Sequence, residues 1–297
     1  MTETTAEQPA GRLLPRRVAV IGGGRMGSGI AHAFAVGGSN VIVLERDEAS
    51  AAAGLERVQD AIRASERRGT LRADDSLDAA LARVSATTAR AELAESELVV
   101  EAVPEDETLK RETLEGLAAV LSDRAIIASN TSSLSISALA STLPNPARFL
   151  GLHFFNPVPA SSLVEIVVGA ETSPEIVTAA QSWVEALAKT PITVQDVPGF
   201  ASSRLGVVIA LEAIRMLESG VASAEDIDAA MVLGYRFPVG PLKLTDMVGL
   251  DVRLGIAEYL HQELGARFEP PALMREMVAE GKLGRKSGQG FFEWPAE

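Results

Sequence analysis

Six consecutive residues constrain this chain more than any others. Gly22-Gly23-Gly24-Arg25-Met26-Gly27 reads G-x-G-x-x-G and follows directly on Val18-Ala19-Val20-Ile21. That short β-branched run is the mark of a strand buried on both faces. A helix-period stretch then continues to Val36. In a strand–turn–helix unit of this kind, Gly22 permits the tight turn and Gly24 lets the backbone approach a pyrophosphate. Gly27 lets helix and strand pack closely. The helix start at Arg25 and Met26 offers free N–H groups and a partial positive charge to phosphates. The bare pattern is weak, but its flanks strengthen it. A second strand, residues 41–45, ends on Glu45, 18 residues after Gly27. A carboxylate there accepts from both ribose hydroxyls and repels a 2′-phosphate, which favours NAD over NADP. Arg46 is the competing feature; it is read as lying against an adenine or pointing to water. The bland alternative is a glycine-rich turn with an incidental surface glutamate.

The rest of the first two-thirds alternates strands with helices. Residues 48–88 read as two helices around Gly69, 98–102 and 125–129 as strands, and 108–121 as the helix between them. After Arg148 come two strand-like runs, 150–155 and 163–168, joined by Asn156-Pro157-Val158-Pro159. A helix over 174–189 and a strand over 192–194 follow. This alternation predicts an α/β fold, an open sheet of Rossmann type covered on both faces. Asp196-Val197-Pro198-Gly199 is the domain boundary. Beyond it only helix-period segments broken by Gly and Pro remain. The expected organisation is a loose tail over 1–15, a dinucleotide-binding domain over 16–196 with a helical insertion, and an all-helical domain over 197–297.

Composition narrows the partners. The longest apolar run, 205–211, is far short of the ~20 residues that span a bilayer. With 27 Lys and Arg against 40 Asp and Glu, the 297-residue chain carries a formal charge of −13. Such a surface repels nucleic acid and anionic lipid, so neither is an expected partner. There is no cysteine, hence no disulfide, thiol nucleophile or cysteine-bound zinc, and no metal is expected. A cytoplasmic location fits this usage.

Only three histidines compete for a chemical role. His32 lies within the apolar first helix and reads as a packing residue; His261 reads as a helix-surface residue. His153 ends a strand before the double-proline connection, and Glu165 lies on the next strand. In a hairpin folded about Pro159, residues whose numbers sum to 318 face each other, and His153 with Glu165 meets that condition. A carboxylate on one ring nitrogen fixes the tautomer and leaves the other to take a proton. That is a base suited to oxidising an alcohol beside a nicotinamide. On spacing alone, a buried and purely structural pair is an equal alternative.

With these residues in view, the chain resembles the L-3-hydroxyacyl-CoA dehydrogenase family from Val18 to about Trp294. The matching stretches are Val-Ile-Gly-Gly-Gly-Arg-Met-Gly at 20–27, Val-Glu-Ala-Val-Pro-Glu at 100–105, and Ala-Ser-Asn-Thr-Ser-Ser-Leu at 128–134. The most specific is Gly-Leu-His-Phe-Phe-Asn-Pro-Val-Pro at 151–159. Asp-Val-Pro-Gly-Phe at 196–200, Phe-Pro-Val-Gly-Pro at 237–241 and Lys-Leu-Gly-Arg-Lys-Ser-Gly-Gln-Gly-Phe at 282–291 follow in order. The resemblance implies that His153 is the general base for a 3-hydroxyl while hydride passes to NAD, with Glu165 orienting it. It places Ser132 on the reacting oxygen, Asn130 and Glu105 near the nicotinamide, and Lys110 near the cofactor. An exposed Glu105–Lys110 ion pair at helical spacing is the alternative for those two. Asn156 and Ser203 fall at the substrate. Arg63, Arg67 and Arg68 fall where the family meets the nucleotide end of CoA; a solvated helix face pairing with Glu56, Asp60 and Glu66 competes with that role. The helical domain is implied to be a dimerisation domain, burying helices over 200–219 and 244–264 in a homodimer. A place in fatty acid metabolism follows.

Two departures stand out. Ser203 occupies the position before Arg204 where the family usually has Asn, and Ala160-Ser161-Ser162 replaces a bulkier segment. They keep open an acyl-carrier-protein-bound hydroxyacyl group, as in polyketide extender-unit pathways, or a free hydroxy acid as the substrate. A non-catalytic, crystallin-like NAD-binding protein is the rival of another class; the set His153, Glu165 and Ser132 argues against it.

Overall fold

A computed structural model describes residues 14–295. The tail expected over 1–15 therefore lies outside the described residues apart from Leu14 and Pro15, and these two are not loose. Leu14 packs against the core of the first unit, and the Pro15 carbonyl accepts from Ser39 Oγ at 2.7 Å. Contacts divide the chain into two units, with Asp196 closing the first and Val197 opening the second.

The first unit is built on one eight-stranded sheet, in the order β3-β2-β1-β4-β5-β6-β7-β8. The strands are β1 (Arg17–Ile21), β2 (Asn40–Leu44), β3 (Val84–Thr87), β4 (Leu98–Glu101), β5 (Ile126–Ser129), β6 (Phe149–Phe154), β7 (Leu163–Val168) and β8 (Thr190–Gln195). All neighbours pair in parallel except β6 with β7, which are antiparallel. The helices are α1 (Arg25–Gly37), α2 (Glu48–Arg67), α3 (Leu77–Ala82), α4 (Glu107–Ala118), α5 (Ile136–Ala140) and α6 (Pro174–Ala186). Val18, Ala19 and Val20 of β1 are fully buried, as a central strand requires. Strand order reverses at β1, whose neighbours are β2 and β4, so the glycine turn after β1 sits at the topological switch point where dinucleotides bind.

β3 corrects the sequence reading, which ran helix through residue 88. Its four residues alternate between a buried Val84 and an exposed Ser85 and close on a buried Thr87. So short a run inside Ala- and Arg-rich sequence carries no strand period of its own; pairing with β2 defines it. α5 was likewise not foreseen. Its first turn is satisfied by Asp196, which accepts from Ser135 Oγ and from the backbone N–H groups of Ile136 and Ser137 at 2.7–2.9 Å.

The second unit is helical: α7 (Ser202–Glu218), α8 (Ala224–Ala229), α9 (Pro241–Val248), α10 (Leu250–Leu264) and α11 (Ala272–Ala279), with short 3₁₀ and π turns between. Two isolated bridges, Gly284 with Gln289 and Gln289 with Glu293, are its only extended pairings among the described residues. The single helix expected over 244–264 is broken at Gly249, whose φ of 108° no helix accommodates. Val207, Leu211, Ile214, Leu242, Leu260 and Met274 form the core. Buried Asp246 fastens the closing segment, accepting from Phe291 N, Phe292 N and Trp294 Nε1 at 2.9 Å each.

Candidate active site

The glycine turn meets its steric requirements. A Cβ on Gly27 would stand 1.7 Å from the Gly22 carbonyl oxygen, so only glycine lets α1 leave β1 at this angle. Gly22 has a φ of 91°, and its N–H donates to Leu44 O at 2.9 Å. The same test at Gly24 finds open space, which leaves room for a ligand against the backbone. No side chain caps α1 and no acidic residue occupies its first turn, where Arg25 and Met26 stand. The four free N–H groups of that turn fit a pyrophosphate.

Glu45 lies directly against this turn. Its Oε1 accepts from Gly23 N at 2.6 Å, and the second oxygen accepts weakly from Arg46 N at 3.3 Å. A carboxylate has about four acceptor positions, so capacity for ribose hydroxyls remains. Arg46 points to water, 86% exposed, and pairs with Asp47. Arg57 on α2 is a residue the sequence reading passed over. Its Nε donates to Gly23 O at 2.9 Å and so fastens the turn from the other side. Together these groups fit NAD.

Further along the same carboxyl edge of the sheet, His153 and Glu165 occupy directly opposed positions of β6 and β7. Nδ1 lies 2.7 Å from Glu165 Oε2, with the carboxylate fully buried and the imidazole nearly so. The antiparallel pairing is what puts both side chains on one face. Glu165 fixes Nδ1 as the protonated nitrogen, which makes Nε2 the one able to exchange a proton. Phe155 lies against the imidazole, ring centroids 4.4 Å apart.

A second polar cluster surrounds the ends of β4 and β5. Lys110 on α4 is 1% exposed, and its Nζ reaches Glu101 Oε1 at 2.7 Å, Glu105 Oε2 at 3.3 Å and Val103 O at 3.2 Å. The Glu105–Lys110 pair is present, with Glu105 37% exposed, but the lysine is buried and shared between two carboxylates. Glu101, the residue sequence reasoning missed, also accepts from Ser129 Oγ at 2.5 Å and Val103 N at 2.8 Å. The signal was available, since a carboxylate closing an apolar central strand needs a cation.

Glu105 gathers the turn after β5. Its Oε1 accepts from Thr131 Oγ1 at 2.6 Å, from Ser132 N at 2.8 Å and from Ser132 Oγ at 3.1 Å. Burial alone would raise its pKa, but Lys110, Thr131 and the Ser132 amide outweigh that and hold the carboxyl below its ordinary range. Asn130 links the two clusters, its N–H donating to Glu101 O and its Oδ1 accepting from Phe154 N, the residue after His153.

The connection carrying Asn156 is exposed at that residue and seated elsewhere. Val158 packs on Gly29 of α1, and Lys189 donates from Nζ to Val158 O at 2.6 Å and Ser161 O at 2.5 Å. Burial lowers the Lys189 pKa. Arg63 pairs with Asp60 at 2.9 Å, as the solvated-face alternative has it, and Arg67 is exposed nearby. Ser203 stands in the first turn of α7, in the helical unit. His32 bonds Ser65 Oγ through Nε2 at 2.8 Å, and His261 contacts Gly265 O. No group of three or more His, Asp or Glu suited to a metal occurs among the described residues, and no helix there is long and apolar enough to cross a membrane.

Comparison with known proteins covers both units. Residues 17–197 match the 3-hydroxyacyl-CoA dehydrogenase NAD binding domain, and residues 199–294 match the 3-hydroxyacyl-CoA dehydrogenase C-terminal domain. A probable 3-hydroxybutyryl-CoA dehydrogenase of Deinococcus radiodurans is 41% identical over 276 residues, 93% of this chain and 99% of that one. The mitochondrial hydroxyacyl-coenzyme A dehydrogenase of Homo sapiens is 37% identical over 301 residues, 99% of this chain and 96% of its own. The crystal structure of (S)-3-hydroxybutyryl-CoA dehydrogenase from Ralstonia eutropha superposes with a TM-score of 0.90 at 40% identity, covering 95% of this chain and all of that one.

Proposed function

This chain belongs to the 3-hydroxyacyl-CoA dehydrogenase family, and from that premise we propose that His153 and Glu165 are the catalytic pair of its NAD-dependent oxidation of L-3-hydroxyacyl-CoA. His153 Nε2 takes the proton of the 3-hydroxyl as the carbon–oxygen bond becomes a carbonyl. Bound at the glycine turn and Glu45, NAD would supply the acceptor for the hydride of the 3-carbon. Glu165 holds the Nδ1 proton and stabilises the imidazolium. Ser132 contacts the reacting oxygen, and the Glu101–Lys110–Glu105 cluster holds residues 130–132 in place beside the nicotinamide. Glu45 takes the ribose hydroxyls, Asn156 and Ser203 meet the acyl portion, and Arg63 with Arg67 lies toward the nucleotide of CoA. In the reverse direction the same groups deliver a proton to the 3-ketone.

The observation that carries this reading is the 2.7 Å contact between His153 and Glu165 in a buried, water-poor setting. It is tested by following NADH formation from (S)-3-hydroxybutyryl-CoA with wild type and His153→Gln. Loss of turnover by about 10²-fold or more in the variant is expected; equal turnover would sink the assignment. Running the same acyl group on a carrier protein tests the thioester, CoA being the expected carrier. We also propose a homodimer formed through the helical unit, because Leu205, Leu233, Tyr235 and Val252 are 45–80% exposed there. A cytoplasmic location accords with a chain free of cysteine.

A further inference from the structure

Lys189, at the corner between α6 and β8, grips the connection between β6 and β7 from outside it. Its ammonium sits between two backbone carbonyls, donating to Val158 O at 2.6 Å and to Ser161 O at 2.5 Å. Pro157 O accepts from both Ala160 N and Ser161 N at 3.0 Å, so residues 157–161 form a single turn. Carbonyls three residues apart in such a turn point the same way, and a cation set against them meets both. The bonds from an ammonium are charge-assisted, so they are stronger than the neutral bonds within the turn. The next amide adds another tie, Thr190 N donating to Ser162 O at 2.6 Å. On its other side the connection rests on α1. Val158 is 2% exposed, and a Cβ on Gly29 would stand 2.8 Å from Val158 Cβ.

A strained corner delivers this lysine. Ala188 has a φ of 56°, the left-handed region that alanine avoids. Its N–H donates to Glu185 O at 3.0 Å and Lys189 N donates to Val184 O at 3.1 Å, the paired bonds that close a helix around a left-handed residue. A backbone outlier of this kind persists where its surroundings over-determine it. What the corner sets in place is the ammonium. The segment it grips begins at the chemistry, since Phe155 lies against the His153 ring with centroids 4.4 Å apart and Asn156 follows. α1, the connection and the α6–β8 corner all belong to the first unit. We propose that Lys189 is a positioning residue for the reaction, its ammonium clamping the connection so that Phe155 and Asn156 are held against His153. The inference rests on the reading above that His153 is the base and that Asn156 meets the acyl portion.

Lys189→Met keeps the apolar stem and removes the donors. Its kcat/KM for (S)-3-hydroxybutyryl-CoA is expected to fall about 10- to 100-fold, because a shifted connection mis-sets the substrate against Nε2. The Kd for NADH, read by fluorescence titration, stays at the wild-type value, since the glycine turn is not part of the clamp. Lys189→Arg keeps a cation with donors for two carbonyls and restores most of the loss. A folded methionine variant with wild-type kcat/KM overturns the proposal. So does a loss that extends to NADH affinity, which marks general loosening of the unit. Lys189→Gln keeps N–H donors without the charge and serves if the methionine variant fails to fold; an intermediate loss is expected, and full kcat/KM overturns the proposal. Active wild type with unaffected variants defeats this inference alone, whereas wild type that does not turn over the thioester defeats the proposed function on which it rests.

Discussion

Lys110 Nζ lies 2.7 Å from Glu101 Oε1, and neither residue has more than 1% of its surface in contact with solvent. One cation therefore serves two carboxylates, since Glu105 approaches the same nitrogen at 3.3 Å. Removing the lysine strands both acids, one of them fully buried. Lys110→Met should destabilise the fold by about 3–5 kcal/mol in urea titration. Combining Lys110→Met with Glu101→Gln should cost less than the two single changes added together, because each removes the charge that the other leaves unpaired. Strict additivity would show that the two groups do not interact.

The carboxylate of Glu165 acts through His153, so its neutral isostere separates charge from shape. Glu165→Gln keeps a hydrogen-bonding group at the 2.7 Å contact but removes the charge that stabilises an imidazolium. We expect kcat for (S)-3-hydroxybutyryl-CoA to fall about 10²- to 10⁴-fold with KM little changed. A kcat equal to wild type would reduce Glu165 to a packing residue.

Glu45 touches the glycine turn through Gly23 N at 2.6 Å and is the group placed to meet a ribose. Its charge would oppose a 2′-phosphate, a like-charge contact that costs several kcal/mol. Glu45→Ala should lower the preference for NAD over NADP, measured as the ratio of kcat/KM values, by about tenfold or more. An unchanged ratio would move the source of selectivity elsewhere in the turn.

The exposed apolar residues of the helical unit make a separate prediction. Leu233 and Tyr235 are 80% and 75% exposed, large apolar side chains of the kind an interface covers. Light scattering should return about twice the 31.2 kDa chain mass for wild type. A Leu233→Glu and Tyr235→Glu double variant should shift toward the single chain. A wild-type mass of one chain would remove the dimer.

The parts of this structure that were legible in the sequence are those fixed by local period or by a numerical symmetry. Gly22, Gly24 and Gly27 announce themselves because their spacing falls within one short strand–turn–helix unit, where a Cβ on Gly27 would meet the Gly22 carbonyl oxygen. His153 and Glu165 were paired by hairpin arithmetic alone, since antiparallel register follows from the turn. Arg57 and Lys189 were not legible, because what they do depends on groups that only the folded chain brings near: Gly23 for Arg57, and the Val158 and Ser161 carbonyls for Lys189. Periodicity failed where an element spans only two repeats, as at the four residues of β3, and where one glycine turns a continuous apolar pattern into two helices, as at Gly249.

His32 offers a test of fold energetics away from the chemistry. The imidazole is 4% exposed, bonds Ser65 Oγ through Nε2, and leaves Nδ1 without a partner. Burial, with smaller contributions from Arg68 and Lys189, lowers its pKa from 6.5 to about 4. The unfolded chain therefore binds a proton that the folded chain refuses throughout that interval. Stability from this group is fully present above pH 6.5 and is lost as pH falls toward 4, by about 3 kcal/mol in all at about 1.4 kcal/mol per pH unit. His32→Gln can still reach Ser65 but does not titrate. Urea midpoints measured across that pH interval should fall for wild type more steeply than for His32→Gln, and parallel curves would mean that the buried imidazole accepts its proton without unfolding the first unit.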